Sequence, residues 1–145
     1  LLRLVASANK YVDKSAQGLD FGEGPYPMLR ELLSEHGFLN VSGYDPLFND
    51  SDVDKLGLFN FITCCEVIEH MNKPAQQIQK MMSLLEEQAA LIISTGIREK
   101  GVKFEDWHYI SDETHINFLA IRRSLIWLRF IILGSLNEKG TLSFF

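Results

Sequence analysis

A chain of 145 residues is long enough to bury one core and short enough to be a single domain, expected here over residues 1–145. With 46% hydrophobic and 23% charged residues, it is excluded from the disordered, collagen-like and disulfide-scaffold classes. The net charge of −5 is uneven: residues 1–72 carry 11 acids against 5 bases, and residues 73–145 carry 8 acids against 9 bases. The acidic half disfavours a nucleic-acid backbone as partner and suits a cationic ligand, although a solvated acidic face is the commoner origin of such a bias.

In chain order, residues 1–16 read as a short helix with Leu1, Leu4, Val5, Ala8 and Val12 on one side. Leu19 to Phe21 is a short strand. Pro25 and Pro27 open the next segment, where Met28, Leu29, Leu32, Leu33 and His36 form a helical stripe that Gly37 ends. Val41 to Tyr44 is the second strand. Residues 46–58 are polar and acidic and show no clear third element. Phe59 to Cys65 is nearly all apolar, as expected of a strand covered on both faces.

Ile78, Met81, Met82 and Leu85 repeat at three and four and define a helix over 75–86. Ala89 to Thr95 is a further buried strand. Residues 97–120 are mixed and aromatic, and read as a loop or lid. Leu125 to Leu128 has helical character. Phe130 to Leu136 and Thr141 to Phe145 flank the turn Asn137-Glu138-Lys139-Gly140 as a terminal hairpin. Strands alternating with helices imply an α/β class: a Rossmann-like, doubly wound, mostly parallel sheet with an antiparallel terminal hairpin.

The longest apolar run, Leu125 to Gly134, contains Arg129 and is too short to span a bilayer. No signal-peptide pattern is visible, and the cytoplasm is the expected location. Cys64 and Cys65 are adjacent in a strand and point to opposite faces, so they cannot pair with each other. They read as small buried hydrophobes, not as a redox pair.

The chemistry-bearing residues begin with Leu19-Asp20-Phe21-Gly22-Glu23-Gly24-Pro25. Gly22 and Gly24 let the backbone turn tightly and approach a ligand. A lone Gly-x-Gly is a weak signal. Here it follows a strand, opens a helix and precedes a strand ending in Asp45, which can accept hydrogen bonds from both ribose hydroxyls. A dinucleotide fingerprint needs a third glycine where Pro27 stands, and Glu23 would face a pyrophosphate. Both features point away from nicotinamide dinucleotides.

At these residues the chain resembles the class I S-adenosylmethionine-dependent methyltransferases. More closely, it resembles the small-molecule branch that includes the ubiquinone-biosynthesis O-methyltransferases. The resemblance rests on LDFGEGPYPMLRELL, VSGYDP, FNFITCCEVIEHM and DWHYISDETHINF and covers nearly the whole chain. It implies a cofactor site of Asp20, Gly22, Glu23, Gly24, Asp45, Pro46 and Cys65. Asp20 and the two glycines would hold the methionine part, Asp45 the ribose, Pro46 the adenine edge, and Cys65 the region of the sulfonium. The chain departs from the family pattern at the third glycine, where Tyr26 stands, and in the short stretch 46–58.

Glu66, Glu69 and His70 have the spacing that puts three side chains on one helix face, if that stretch is helical. Two carboxylates and an imidazole suit a divalent ion such as Mg or Mn, with Zn also admissible. From spacing alone, a capping acid, an exposed acid and a packed histidine are the commoner reading. The resemblance adds His115 as a further ligand and makes Glu66 and His115 the candidate catalytic residues. A metal there would lower the pKa of an acceptor hydroxyl and fix its orientation.

Trp107, Tyr109 and Phe118 are placed to line an acceptor pocket. His108 and His115 are candidate bases, and the resemblance, in which a Thr-His pair recurs, favours His115. For any single residue of this segment, packing on the sheet edge is the commoner role. Arg122-Arg123 reads as a solvated helix start.

The expected function is methyl transfer from S-adenosylmethionine to a small-molecule acceptor, at oxygen. The alternatives are a non-catalytic cofactor-binding or interaction domain and an RNA 2′-O-methyltransferase. Nucleic acid is the less expected partner because no basic patch is visible. Oligomeric state is not readable from this sequence.

Overall fold

The computed structural model describes residues 1–49, 52–96 and 101–117, together with the backbone of 130–134 and 142–143. The predicted stretches Leu125–Leu128 and Asn137–Gly140, with Phe118 and Arg122-Arg123, lie outside the described residues.

The sheet has six strands in the order β2-β1-β3-β4-β5-β6. They are β1 (Gly18–Phe21), β2 (Val41–Tyr44), β3 (Phe59–Cys65), β4 (Leu85–Thr95), β5 (Phe130–Gly134) and β6 (Leu142–Ser143). The first five are parallel to their neighbours, and β6 runs antiparallel to β5. The α/β class, the parallel sheet and the antiparallel terminal pair all match the sequence reading.

Among the described residues there are three α-helices: α1 (Leu2–Tyr11) precedes β1, α2 (Met28–Glu35) connects β1 to β2, and α3 (Pro74–Ser83) connects β3 to β4. α2 starts directly after Pro27, whose missing N–H costs nothing at a helix start. Gly37, at φ 91, turns the chain out of it. α3 is shorter than the predicted 75–86. It stops at Ser83, and Leu84 and Leu85 leave the helix pattern: Leu84 enters the core and its carbonyl accepts from the Phe59 N–H, which starts β4 early. A register shift between Phe59 and Phe61 absorbs the lengthened edge.

Alternation along the strands deals residues to two cores. On one face Leu19, Phe21, Ile62, Cys64, Leu91 and Ile93 pack with Ile68, Met81 and Val53. On the other, Phe61, Ala90 and Ile92 pack with Leu4, Val5 and Ala8 of α1 and Leu29 and Leu33 of α2. Both faces are covered, which explains the near-continuous apolar run of β3.

Among the described residues of the segment 46–58 there is no strand, only a short 3₁₀ turn at Val53–Lys55. The strand ending in Cys65 is therefore the third in chain order. From β1 the chain moves outward to β2, then crosses back to the far side of β1 to form β3. The strand order reverses between β1 and β3. In a doubly wound sheet a ligand crevice opens at such a point, beyond the carboxyl ends of the strands.

Candidate active site

Asp20, next to last in β1, is 3% exposed. It lies opposite Thr63 of β3, whose hydroxyl donates to its Oδ1 at 2.8 Å. Burial is the largest influence on its carboxyl group and pushes the pKa up to about 6. The Thr63 hydrogen bond opposes that rise, the Glu23 charge adds to it, and the Arg30 charge reduces it.

The glycine turn follows immediately. Gly22 has φ 88, and a Cβ there would run into the Val67 side chain, so only glycine fits. Gly24 has φ 68 and opens onto empty space where a Cβ would stand. The open face of Gly24 lies on the turn that runs from Asp20 to the Asp45 carboxylate, which accepts the Gly24 N–H.

Asp45, directly after β2, closes the turn from the other side. Its Oδ2 accepts from the Gly24 N–H at 3.0 Å and its Oδ1 from the Leu47 N–H at 2.8 Å. Each carboxylate oxygen has a second acceptor position, so Asp45 can hold the glycine turn and still receive ribose hydroxyls. Pro46 follows it and is exposed. Glu23 turns toward β2: its carboxylate covers Gly43, where a Cβ would collide with it, and it pairs with Arg30 at 3.0 Å. Cys65 ends β3 half-buried, with its thiol pushed up to about 11, mainly by burial.

The Glu66–Glu69–His70 stretch does not form the helical face that its spacing suggests. Glu66 adopts φ 51, a left-handed conformation that breaks any helix, and only Ile68–His70 make a 3₁₀ turn. Three residues converge on a candidate metal centre: Glu69, His70 and His115, with one ligand atom from each lying within 4.8 Å of the others. Glu66 is not in that group and joins it indirectly.

Backbone contacts bring His115 to the turn. The N–H groups of Ile116 and Asn117 both donate to the Glu69 carbonyl at 2.9 Å. His70 Nδ1 lies 3.0 Å from the Thr114 carbonyl, and His115 Nδ1 lies 2.7 Å from the Tyr109 carbonyl. A carbonyl can only accept, so both Nδ1 atoms carry the proton. In the neutral rings each Nε2 then keeps its lone pair, the arrangement common to metal-ligating histidines, and the His115 Nε2 also lies 3.6 Å from Asp112 Oδ2. The donor set therefore fits a divalent ion. Two imidazoles and a carboxylate suit a transition-metal ion such as Mn or Zn better than Mg. His108 is exposed and takes no part in this group.

Tyr109 links the site together, a role that goes beyond lining a pocket. Its hydroxyl lies 3.0 Å from Glu66 Oε2, bonds Glu69 Oε1, and lies 3.3 Å from Thr95 Oγ1. Its ring stacks on Trp107 at 5.0 Å and lies 4.1 Å from the His115 ring. It also fills the space where a side chain on Gly96 would project. Thr95 donates to Glu69 Oε2 at 3.1 Å, and Ser94 donates to Glu66 Oε1 at 2.8 Å. Glu69 is 1% exposed, and burial leads in raising its pKa. Burial also raises the Tyr109 phenol, assisted by its hydrogen bond to Glu69.

A doubly wound sheet with a glycine turn after β1, an acid after β2 and a polar cluster after β3 defines a Rossmann-like nucleotide-cofactor enzyme. A family model described as "Methyltransferase domain" matches residues 1–128, and the chain belongs to that family. It is an S-adenosylmethionine-dependent methyltransferase of the class I type. Neither a curated protein nor a solved structure matched the chain. Among the described residues, no helix is long and apolar enough to cross a membrane.

Proposed function

We propose that residues 1–145 form a single domain that transfers a methyl group to an oxygen of a small-molecule acceptor. In this reading the acceptor is positioned by a divalent-metal site, and the enzyme is related to the ubiquinone-biosynthesis branch. The supporting observation is that Glu69, His70 and His115 converge at the carboxyl edge of β3, the strand that also borders Asp20.

The cofactor supplies an electrophilic methyl group on a cationic sulfur. Its residues would be Asp20 for the ammonium, Gly22 and Gly24 for close approach of the methionine part, and Asp45 for the ribose. Pro46 would border the adenine, Cys65 would flank the sulfonium region, and Glu23 would act through its bond to Arg30. A neutral thioether leaves, so the leaving group needs no acid. The protein's task is to orient the acceptor and take its proton.

A bound Mn or Mg ion would make an acceptor hydroxyl more acidic. Glu69, His70 and His115 would hold it. Glu66, fixed by Ser94 and Tyr109, offers a carboxylate to receive the proton, because the Nε2 of His115 would be committed to the ion. Trp107 and Tyr109 form an aromatic wall beside them.

Glu69→Ala and His70→Ala are expected to lose Mn binding, measured by equilibrium dialysis with elemental analysis. Both should keep their affinity for S-adenosylhomocysteine to within a few fold. Wild-type metal content in both variants would refute the metal site.

A further inference from the structure

Thr63 sits in the middle of β3 with 0% exposure, where a hydroxyl without a partner would be costly. Strand register supplies the partner: Asp20↔Thr63 is a paired position, and the Thr63 hydroxyl donates to Asp20 Oδ1 at 2.8 Å. The Leu19 carbonyl, at 3.4 Å, is a weaker alternative acceptor.

The other groups facing Asp20 do not replace this bond. Glu23, on the glycine turn, opposes ionisation; its own ion pair ties Arg30 of α2 to the β2 side. The thiols of Cys64 and Cys65, on β3, stay neutral at physiological pH because burial raises both. A carboxylate this deeply buried drifts toward its neutral form, which cannot bind an ammonium group.

We propose that Thr63 is a positioning residue for the methyl donor: its hydroxyl aims the Asp20 carboxylate into the crevice and keeps it charged for the cofactor's ammonium. This rests on the reading that Asp20 receives that ammonium. The hydroxyl also fixes which Asp20 oxygen is committed, so Oδ2 is left for the ligand.

Two measurements across pH 5–8 separate the parts of the argument. The first is S-adenosylhomocysteine affinity by calorimetry. The second is the stability of the ligand-free protein by urea unfolding. In Thr63→Val the pH midpoint of the binding profile should move up by about one unit, the size of one charge-assisted hydrogen bond, and that of the unfolding profile by about half a unit, because only the folded pKa moves. At pH 6.5 affinity should fall about threefold, with near-equal affinity at pH 8. Thr63→Ser should restore both midpoints, and Thr63→Ala serves the same purpose if the valine prevents folding.

An unchanged midpoint, or an equal loss of affinity at every pH, would overturn the role of Thr63. If the unfolding midpoint moves while wild-type binding shows no pH dependence near 6, then Asp20 is not the ammonium site, and the cofactor reading fails separately.

Discussion

At Asp20 the fold and the chemistry make opposed demands. The cofactor needs a charged carboxylate, whereas burial favours a neutral one. Below about pH 3 the group is protonated in both the folded and unfolded chains and has no effect on stability. As pH rises toward 6, the unfolded chain ionises first because the folded pKa is the higher one. Stability is therefore lost across that window, by about 3 kcal/mol, and stays level above it. Asp20→Asn removes this pH dependence. The unfolding free energy of wild type minus that of Asp20→Asn is expected to fall by about 3 kcal/mol between pH 3 and pH 7.5. A pH-independent difference in urea unfolding would contradict the assignment. Asp20, Gly22 and Gly24 were legible in the sequence because a glycine turn is a local pattern. Thr63 was not, because its meaning depends on cross-strand register, which no local spacing encodes.

At the scale of elements, the turn after β3 shows where spacing misleads. Glu66, Glu69 and His70 suggest one helical face, but the left-handed Glu66 and a single 3₁₀ turn give a different arrangement. The convergence survives because Glu69's carbonyl ties residues 116 and 117 to the turn and carries His115 inward. His115 was anticipated from family resemblance, whereas the Tyr109 bridge was not. Tyr109 depends on the bare Cα of Gly96 and on two glutamates some 40 residues earlier in the chain, contacts invisible to periodicity. Its phenol holds one proton but lies against a carboxylate of each glutamate, so the array favours an added positive charge. Tyr109→Phe removes the phenol bond to both glutamates while keeping the ring and leaves their bonds from Ser94 and Thr95. It should weaken Mn affinity by roughly tenfold, the usual size of an outer-shell loss, and leave S-adenosylhomocysteine affinity unchanged. Equal Mn affinity in the two proteins would show that Tyr109 only packs.

At the scale of the whole molecule, strand order places the site. Because β2 and β3 lie on opposite sides of β1, the loops after all three strands face one crevice, and residues distant in sequence meet there. Alternating strands and helices made this architecture readable in advance. The lengthened β4 was hidden, because Leu84 and Leu85 satisfy a helical stripe as well as a strand start. β2 ends the strand order of the described sheet, and Asp45 is fixed by its own loop bonds to Gly24 and Leu47. The central claim is that this crevice holds the methyl donor. Calorimetric titration of the folded protein with S-adenosylmethionine at pH 7.5 tests it most directly. One-to-one saturable binding that is lost in Asp20→Asn is the expected result. No binding up to about 1 mM, or equal binding by Asp20→Asn, would contradict it.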